Sequence, residues 1–119
     1  MIFIVDDDPD LSDVIGQAIR EWTHAGVRVF DDPLRAVDAL AHEEAELLIT
    51  DLSMPWLDGV HVLASARERR PDLPVIVISA YARGAVVAAS YGAAFLSKPI
   101  DVRKLIAAVE HARMPARAV

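Results

Sequence analysis

The sequence predicts a doubly wound α/β fold built on a five-stranded parallel sheet. Short, continuously apolar segments alternate five times with longer segments whose apolar residues recur at helical spacing. Continuous apolar runs are typical of strands that are buried on both faces, as in a parallel sheet. Strict alternation of strand and helix implies parallel strands joined by right-handed crossovers, with helices on both faces of the sheet.

Five segments are predicted to form the strands, at 2–5, 27–30, 47–49, 75–78 and 93–96. Four of them are uninterrupted apolar runs, and these are expected to be buried on both faces. In the second segment Arg28 interrupts the run, which favours a more exposed strand at the edge of the sheet.

Three aspartates mark the starts of predicted helices. Asp8 and Asp32 can each accept hydrogen bonds from free backbone N–H groups of a first helical turn. Each is followed by a proline, which suits the first helical position. Asp101 is in the same position before the last helix. These three aspartates are therefore assigned mainly to helix capping.

Each predicted helix has an apolar face at helical spacing. The third helix must end before Pro71, because a proline disfavours helical backbone at the residue that precedes it. The fourth helix, at 84–90, is short and consists almost wholly of small apolar residues. The residues expected to face the core from the first and last helices are Leu11, Val14, Ile15, Ala18, Ile19, Trp22, Val102, Leu105, Ile106 and Val109.

Length and composition indicate one acidic domain. The 119 residues include no cysteine, and 12 Lys and Arg against 18 Asp and Glu leave a net charge of −6. A disulfide scaffold, a thiolate metal site and a cysteine nucleophile are thereby excluded, and the negative charge argues against nucleic-acid binding. No apolar run approaches the roughly 18 residues of a membrane span, and no basic segment of a secretory signal precedes the first strand. We expect a cytoplasmic protein with one domain at 1–113 and a frayed tail at 114–119.

Polar side chains follow four of the predicted strands. Asp6 and Asp7 follow the first strand, Asp51 the third, Ser79 the fourth and Lys98 the fifth. Because the carboxyl ends of parallel strands meet at one edge of the sheet, where α/β folds bind ligands, these side chains are expected to converge.

Such a set of side chains needs a cation and suits phosphoryl chemistry. Two unit charges about 5 Å apart repel by roughly 3 kcal/mol at an effective dielectric constant of about 20. Oxygen ligands with no histidine or cysteine nearby favour Mg²⁺, with Mn²⁺ as the alternative. The cation and a lysine would neutralise the charge that develops on a phosphoryl group as a carboxylate accepts it.

Five short motifs, in order and at matching strand ends, resemble those of the response-regulator receiver domain, the phosphoacceptor of two-component signalling. They are Val5-Asp6-Asp7, Thr50-Asp51-Leu52-Ser53-Met54-Pro55, Asp58-Gly59, Ile78-Ser79-Ala80 and Lys98-Pro99. The resemblance implies the CheY-like (βα)5 fold, with strands in the order 2-1-3-4-5. It also implies a signalling domain rather than an enzyme with a substrate of its own, although the domain catalyses its own phosphorylation and dephosphorylation.

The resemblance implies that Asp51 is the phosphorylated residue. Asp6, Asp7, Asp51 and the backbone carbonyl of Ser53 would hold Mg²⁺, with Asp6 acting mainly through water. Lys98 would pair with the phosphoryl group, and its bond to the following proline is cis in most relatives.

The resemblance further implies a switch formed by Ser79 and Phe95. The Ser79 hydroxyl would follow the phosphoryl oxygen, so that Asp51, Lys98 and Ser79 make up the catalytic set. Phe95 occupies the aromatic switch position on the fifth strand. The segment at 79–92 departs from the family's pattern, because it is shorter than usual by roughly half a helical turn.

The partners implied are a histidine kinase or phosphotransfer protein, a downstream protein target and a second copy of the chain. Pro55, Trp56 and Phe95 are the candidate partner-binding residues, with Trp56 expected near Asp51. A homodimer is expected through the face formed by the fourth helix, the fifth strand and the fifth helix, whose apolar residues include Ala85, Val86, Ala89 and Phe95. Neither nucleic acid nor membrane is expected as a partner.

Two alternative functions remain open at this point. The chain could be a receiver-like module that is never phosphorylated and acts only in interaction or dimerisation. It could also be a haloacid-dehalogenase-type phosphatase, since Asp6-x-Asp8 after an apolar strand resembles that nucleophile motif. The second alternative is disfavoured because no acidic pair follows Lys98 and the chain has no room for a cap.

Several polar residues are interpreted as surface residues without a ligand. The four histidines fall on predicted helices or their ends with no metal-ligand spacing. Arg67, Arg69 and Arg70 are interpreted as a solvated helix end that complements the helix dipole. The histidines are His24, His42, His61 and His111.

Overall fold

The structure, a computed structural model, describes residues 1–53 and 56–114, and of residues 56 and 57 only the backbone. Strands and helices alternate along this part of the chain, as the sequence predicts. The strands are β1 (Ile2–Val5), β2 (Val27–Phe30), β3 (Leu47–Asp51), β4 (Val75–Ser79) and β5 (Ala94–Ser97). The helices are α1 (Pro9–Thr23), α2 (Pro33–His42), α3 (Trp56–Arg69), α4 (Arg83–Ser90) and α5 (Val102–Arg113).

All strand pairs are parallel, and the strand order β2-β1-β3-β4-β5 confirms the predicted fold. The chain moves from β1 outward to β2, then returns to the other side of β1 and continues to β5. The crossover direction therefore changes between β1 and β3. At such a switch point the loops that follow two neighbouring strands separate and leave a crevice for a ligand. The sheet thus opens its crevice where Asp6, Asp7 and Asp51 follow their strands.

Alternate residues of the central strands feed two separate cores. Phe3, Leu48 and Val77 pack with residues of α2, α3 and α4 on one face of the sheet. Ile4 and Ile49 pack with residues of α1 and α5 on the other face. The continuous apolar strands are explained by this two-sided burial. Together the two cores fix the carboxyl edge of the sheet from both sides.

The predicted helix caps are present. Asp8 accepts hydrogen bonds from the N–H groups of Asp10 and Leu11, at 3.1 and 3.3 Å. Asp32 accepts one from Leu34 N at 2.9 Å. Asp101 caps α5 through the N–H groups of residues 103 and 104. The four histidines are exposed, as expected.

Four expectations about burial are wrong. Trp22 and Val14 are 67% and 55% exposed, because Ile15 and Ile19 already fill the arc of α1 that faces the sheet. Val102, the first residue of α5, is 38% exposed and lies one turn before the first fully buried residue of that helix. The fifth strand is not buried on both faces; it is the outer strand of the sheet, and its ends are exposed.

Arg67 is not part of a solvated helix end. Its guanidinium donates hydrogen bonds to the carbonyl oxygens of Tyr91 and Gly92 in the α4–β5 turn and to that of Leu73 before β4. These carbonyls lie outside regular structure and need donors. Arg67 therefore ties the end of α3 to the turn that leads into β5. Arg70 is also half-buried, and it donates to the carbonyl oxygen of Ala45 at 2.6 Å. Arg69, by contrast, is exposed as predicted.

Two expectations fall partly or wholly outside the described residues. Pro55 and the side chain of Trp56 are not described, and the expected tail at 114–119 is described only at Met114. In the part of the chain that is described, no helix is both long enough and apolar enough to cross a bilayer.

Candidate functional site

Three carboxylates converge at the carboxyl edge of the sheet. One carboxylate oxygen from each of Asp6, Asp7 and Asp51 lies within 4.8 Å of the other two. Adjacent strands produce this cluster, since β1 and β3 pair side by side with Val5 opposite Thr50. Asp6 and Asp51 are buried, at 1% and 2% exposure, whereas Asp7 is exposed. The cluster thus has two inner carboxylates and one at its mouth.

Both carboxylate oxygens of Asp51 accept hydrogen bonds. The backbone N–H of Ser53 donates to Asp51 Oδ1 at 2.8 Å, and Lys98 Nζ donates to Asp51 Oδ2 at 2.7 Å. The lysine comes from the loop after β5, two strands away from β3. Its backbone N–H donates to the carbonyl oxygen of Ser79 at 3.0 Å, which holds that loop against the end of β4. The Lys98–Pro99 peptide is cis, as the resemblance implies.

Asp6 is the least satisfied group of the cluster. Its Oδ1 accepts a hydrogen bond from Asp8 N at 2.9 Å, but its buried Oδ2 has no hydrogen-bond partner within the described residues. Burial raises the pKa of Asp6 to about 6, and the charge of Asp51 adds to the rise; the Asp8 N–H and the charge of Lys98 act in the opposite direction. A buried carboxylate oxygen without a donor beside two other carboxylates fits a divalent cation.

Lys98 remains an ammonium ion in this setting. Burial by itself would lower the pKa of Lys98, but the hydrogen bond and the negative charge of Asp51 outweigh burial and raise it. Asp6 and Asp8 contribute in the same direction. The site therefore keeps a fixed positive charge at 2.7 Å from one oxygen of Asp51.

The donor set fits Mg²⁺ by its chemistry. Asp6, Asp7 and Asp51 supply hard oxygen atoms only, and no histidine lies among them. This combination favours Mg²⁺ or Mn²⁺ over zinc or copper. Ser53 is exposed, and its described contact is the N–H bond to Asp51.

Ser79 is fully buried at the end of β4, next to the cluster. Its hydroxyl accepts a hydrogen bond from Tyr81 N at 3.0 Å. Phe95 is half-buried on β5, opposite Val77, and its ring lies beside the first turn of α4. The structure therefore brings Asp6, Asp7, Asp51 and Lys98 into one cluster and places the two predicted switch residues on the strands beside it.

Two glycines whose role was not predicted from the sequence position this site. A Cβ at Gly59 would lie 2.7 Å from both the carbonyl oxygen of Asp51 and Cα of Leu52. A Cβ at Gly84 would lie 2.7 Å from Ser79 Cβ. Glycine inside a helix weakens it, so its presence in α3 and α4 is the sequence signal that indicates close packing.

Comparison with known families identifies the chain. The family model described as the response regulator receiver domain matches residues 2–110. The chain belongs to this family and is a signalling domain of two-component systems. This assignment decides against the phosphatase alternative.

Relatives and solved structures agree with the assignment. The chain is 33% identical over 117 residues to the DNA-binding transcriptional regulator NtrC of Escherichia coli K12, covering 94% of this chain and 24% of NtrC. It is 35% identical over 114 residues to a 14.6 kDa protein of Leptolyngbya boryana, covering 92% of this chain and 86% of that protein. The receiver domain of NtrX from Brucella abortus superposes with a TM-score of 0.86 at 29% identity, covering 95% and 98% of the two chains.

The chain spans about a quarter of the length of NtrC. The DNA-binding activity named for NtrC is therefore a property of that protein. The receiver of NtrX, by contrast, matches this chain over nearly its whole length. The fold of this chain is therefore that of the NtrX receiver domain.

Proposed function

We propose that this domain accepts a phosphoryl group on Asp51 from a histidine kinase or a phosphotransfer protein, with Mg²⁺ bound. The observation that carries the proposal is the state of Asp51. It is buried, held at one oxygen by Ser53 N–H and at the other by Lys98 Nζ. Beside it lies Asp6, whose Oδ2 has no hydrogen-bond partner among the described residues. A buried carboxylate that is paired with an ammonium ion and lies beside oxygen ligands suited to a divalent cation is equipped as a phosphoryl acceptor.

In the transfer step, a carboxylate oxygen of Asp51 attacks the phosphorus atom. The bond between phosphorus and the donor histidine nitrogen breaks, and its electron pair returns to the imidazole. The Ser53 N–H fixes the orientation of the Asp51 carboxylate, which keeps the attacking oxygen in place. The Lys98 ammonium neutralises negative charge on the phosphoryl oxygens as they approach.

A cation held by Asp6, Asp7, Asp51 and the Ser53 carbonyl would supply further charge neutralisation on the phosphoryl oxygens. Asp6 and Asp7 keep this region acidic in its absence, so that the cation is attracted to the pocket. Hydrolysis reverses the modification, when water attacks phosphorus and the Asp51 oxygen leaves as the carboxylate. The domain thus catalyses both steps on itself and is not an enzyme for a separate substrate.

Ser79 and Phe95 form the proposed switch. Among the described residues, the hydrogen bond of the Ser79 hydroxyl is one that it accepts from a backbone N–H, so its own proton can be donated to a phosphoryl oxygen. When the Ser79 hydroxyl moves toward the phosphoryl group, the packing of Phe95 and α4 changes. This change shifts the balance between two arrangements of the surface formed by α4, β5 and α5. Exposed Tyr81 and Val86, at 54% and 71%, place apolar contacts for a downstream protein on that surface.

Pro55 and Trp56 remain candidate contacts for the phosphoryl donor, as predicted from the sequence. A homodimer through α4, β5 and α5 also remains a prediction, as does a cytoplasmic location. Neither nucleic acid nor membrane is proposed as a partner. The chain's −6 net charge supports both exclusions.

Intact mass measured after incubation with Mg²⁺ and acetyl phosphate tests the proposal. A single phosphoryl adduct is expected, and it should be absent with a chelator and in Asp51→Asn. Asp32→Asn is the matched control, because Asp32 follows the edge strand and its described side-chain hydrogen bond caps α2. An adduct that persists in Asp51→Asn would refute the assignment. No adduct from either acetyl phosphate or a phosphorylated kinase, in folded protein, would favour the interaction-module alternative.

A further inference from the structure

The face formed by α1 and α5 exposes large apolar side chains that do not pack into the core. Trp22 and Val102 are both substantially exposed, and they line one open groove of about 270 Å³. Ile106 and Ala107 of α5 also line the groove. This face lies on the side of the sheet opposite to α4, because α4 packs with α2 and α3 in the other core.

The groove carries one positive and one negative charge. Arg103 and Glu110 are its charged lining residues, and both are exposed. Within the described residues, neither side chain has a hydrogen bond or an ion pair. They are seven residues apart on α5, about 10 Å along the axis, which is too far for them to pair with each other. In a chain of net charge −6, this face is locally neutral and offers both signs of charge.

The spacing of the two charges is self-complementary. If a second copy lays its α5 antiparallel against this one, a two-fold axis falls between Ile106 and Ala107. Arg103 then lies opposite Glu110 of the second copy, and Glu110 opposite its Arg103, as a two-fold interface requires. The short side chain of Ala107 at the axis lets the two helices approach closely.

Trp22 completes the same arrangement. Arg113 Nη1 of α5 donates to the carbonyl oxygen of Thr23 at 3.4 Å, so α1 and α5 end side by side. Trp22 therefore lies beside the C-terminal half of α5. In the antiparallel pair that half faces the N-terminal half of the other α5, where Val102 is exposed. Each Trp22 would thus cover Val102 of the second copy.

We propose that the α1–α5 groove is a self-association surface, occupied by the same groove of a second copy in a two-fold symmetric dimer. The charge pairs set the register, and burial of Trp22 supplies apolar contact area. This dimer differs from the one predicted through α4, β5 and α5, and it leaves α4 exposed for another partner. It does not depend on phosphorylation of Asp51.

Sedimentation velocity from micromolar to near-millimolar protein tests this dimer. Wild type is expected to shift from monomer to dimer as concentration rises. In a two-fold dimer the 103–110 contact occurs twice, so Arg103→Glu or Glu110→Arg creates two pairs of like charges. Each variant should therefore raise the dimer dissociation constant by about tenfold or more. The double variant R103E/E110R restores both pairs and should recover dimerisation. Trp22→Ala should weaken it, and Leu34→Ala, at an exposed apolar residue of α2, should not.

Three outcomes would overturn the proposal. Wild type could remain monomeric at every concentration, or the double charge swap could fail to recover a dimer that the single changes abolish. A dimer unaffected by all of these variants but broken by Val86→Asp would place self-association on the α4 face instead. Acetyl phosphate labelling of each variant shows whether it is folded, and it is a separate readout because the groove residues do not contact Asp51.

Discussion

The first turn of α4 lies directly against Ser79, because Gly84 has no side chain to hold the helix away. A Cβ at Gly84 would be 2.7 Å from Ser79 Cβ and 3.0 Å from both Ser79 Oγ and the Phe95 ring. Close-packed interiors transmit small displacements. We therefore expect any movement of the Ser79 hydroxyl to be passed to α4 through this contact, despite the short length of that helix.

Gly84→Ala should destabilise the protein by about 1–3 kcal/mol, since the added methyl group forces α4 away from Ser79. Helix propensity acts in the opposite direction and favours alanine by roughly 0.5–1 kcal/mol. Urea unfolding of the variant and wild type measures the difference. The matched control is Gly16→Ala in α1, where the new Cβ would meet its nearest neighbours at an ordinary 3.6 Å. Equal stability of Gly84→Ala and wild type would contradict the close contact.

Asp6 should make the metal-free protein less stable as the pH rises from about 4 to about 6. Burial raises the pKa of Asp6 from 3.8 to about 6, so within this window the folded state keeps a proton that the unfolded chain has lost. The stabilisation from that proton is present below the unfolded pKa and is lost as the pH rises through the folded pKa.

Asp6→Asn tests this dependence. In the presence of chelator, the variant should exceed wild type at pH 7 by on the order of 2 kcal/mol in free energy of unfolding, and the two should converge near pH 4. Excess Mg²⁺ should stabilise wild type more than the variant, because it binds the folded state through Asp6. Parallel stability curves for the two proteins across this pH range would show that Asp6 is not the group responsible.

Lys98→Gln should destabilise the protein by about 1–3 kcal/mol at neutral pH, because it leaves the buried carboxylate of Asp51 without its cation. The pKa of Lys98 is raised, so wild type should keep this advantage until the pH exceeds the ordinary range for lysine and the ammonium deprotonates. Thermal unfolding as a function of pH measures the effect. Lys104→Gln, at an exposed position of α5, is the control and should change little.

Arg67→Lys should destabilise the α4–β5 turn, because an ammonium cannot reach all the carbonyl oxygens that the guanidinium contacts. We expect a loss of about 1–2 kcal/mol in unfolding free energy and faster amide hydrogen exchange at residues 91–93. The exposed Arg69→Lys provides the comparison. If both variants exchange and unfold alike, Arg67 does not hold this turn.

The sequence determined the order of strands and helices and the residue types that lie at the carboxyl edge of the sheet. Short apolar strands and capping aspartates are local signals, so they predicted β1 to β5 and the starts of α1, α2 and α5. The convergence of Asp6, Asp7 and Asp51 was also predictable, because parallel strands bring their carboxyl ends to one edge of a sheet. The particular hydrogen bonds of Asp51 were not, since they depend on the paths of the loops after β3 and β5.

Only the tertiary structure decided which apolar residues are buried and which charges are paired. Helical spacing places Trp22 near the apolar face of α1, but Ile15 and Ile19 fill the space against the sheet, and Trp22 stays outside. Arg67 resembles its neighbour Arg69 in sequence, yet it alone reaches the unpaired carbonyls of a turn 24 residues further along the chain. Local pattern specifies an element and its apolar side, whereas burial and pairing depend on the space and partners that distant segments supply.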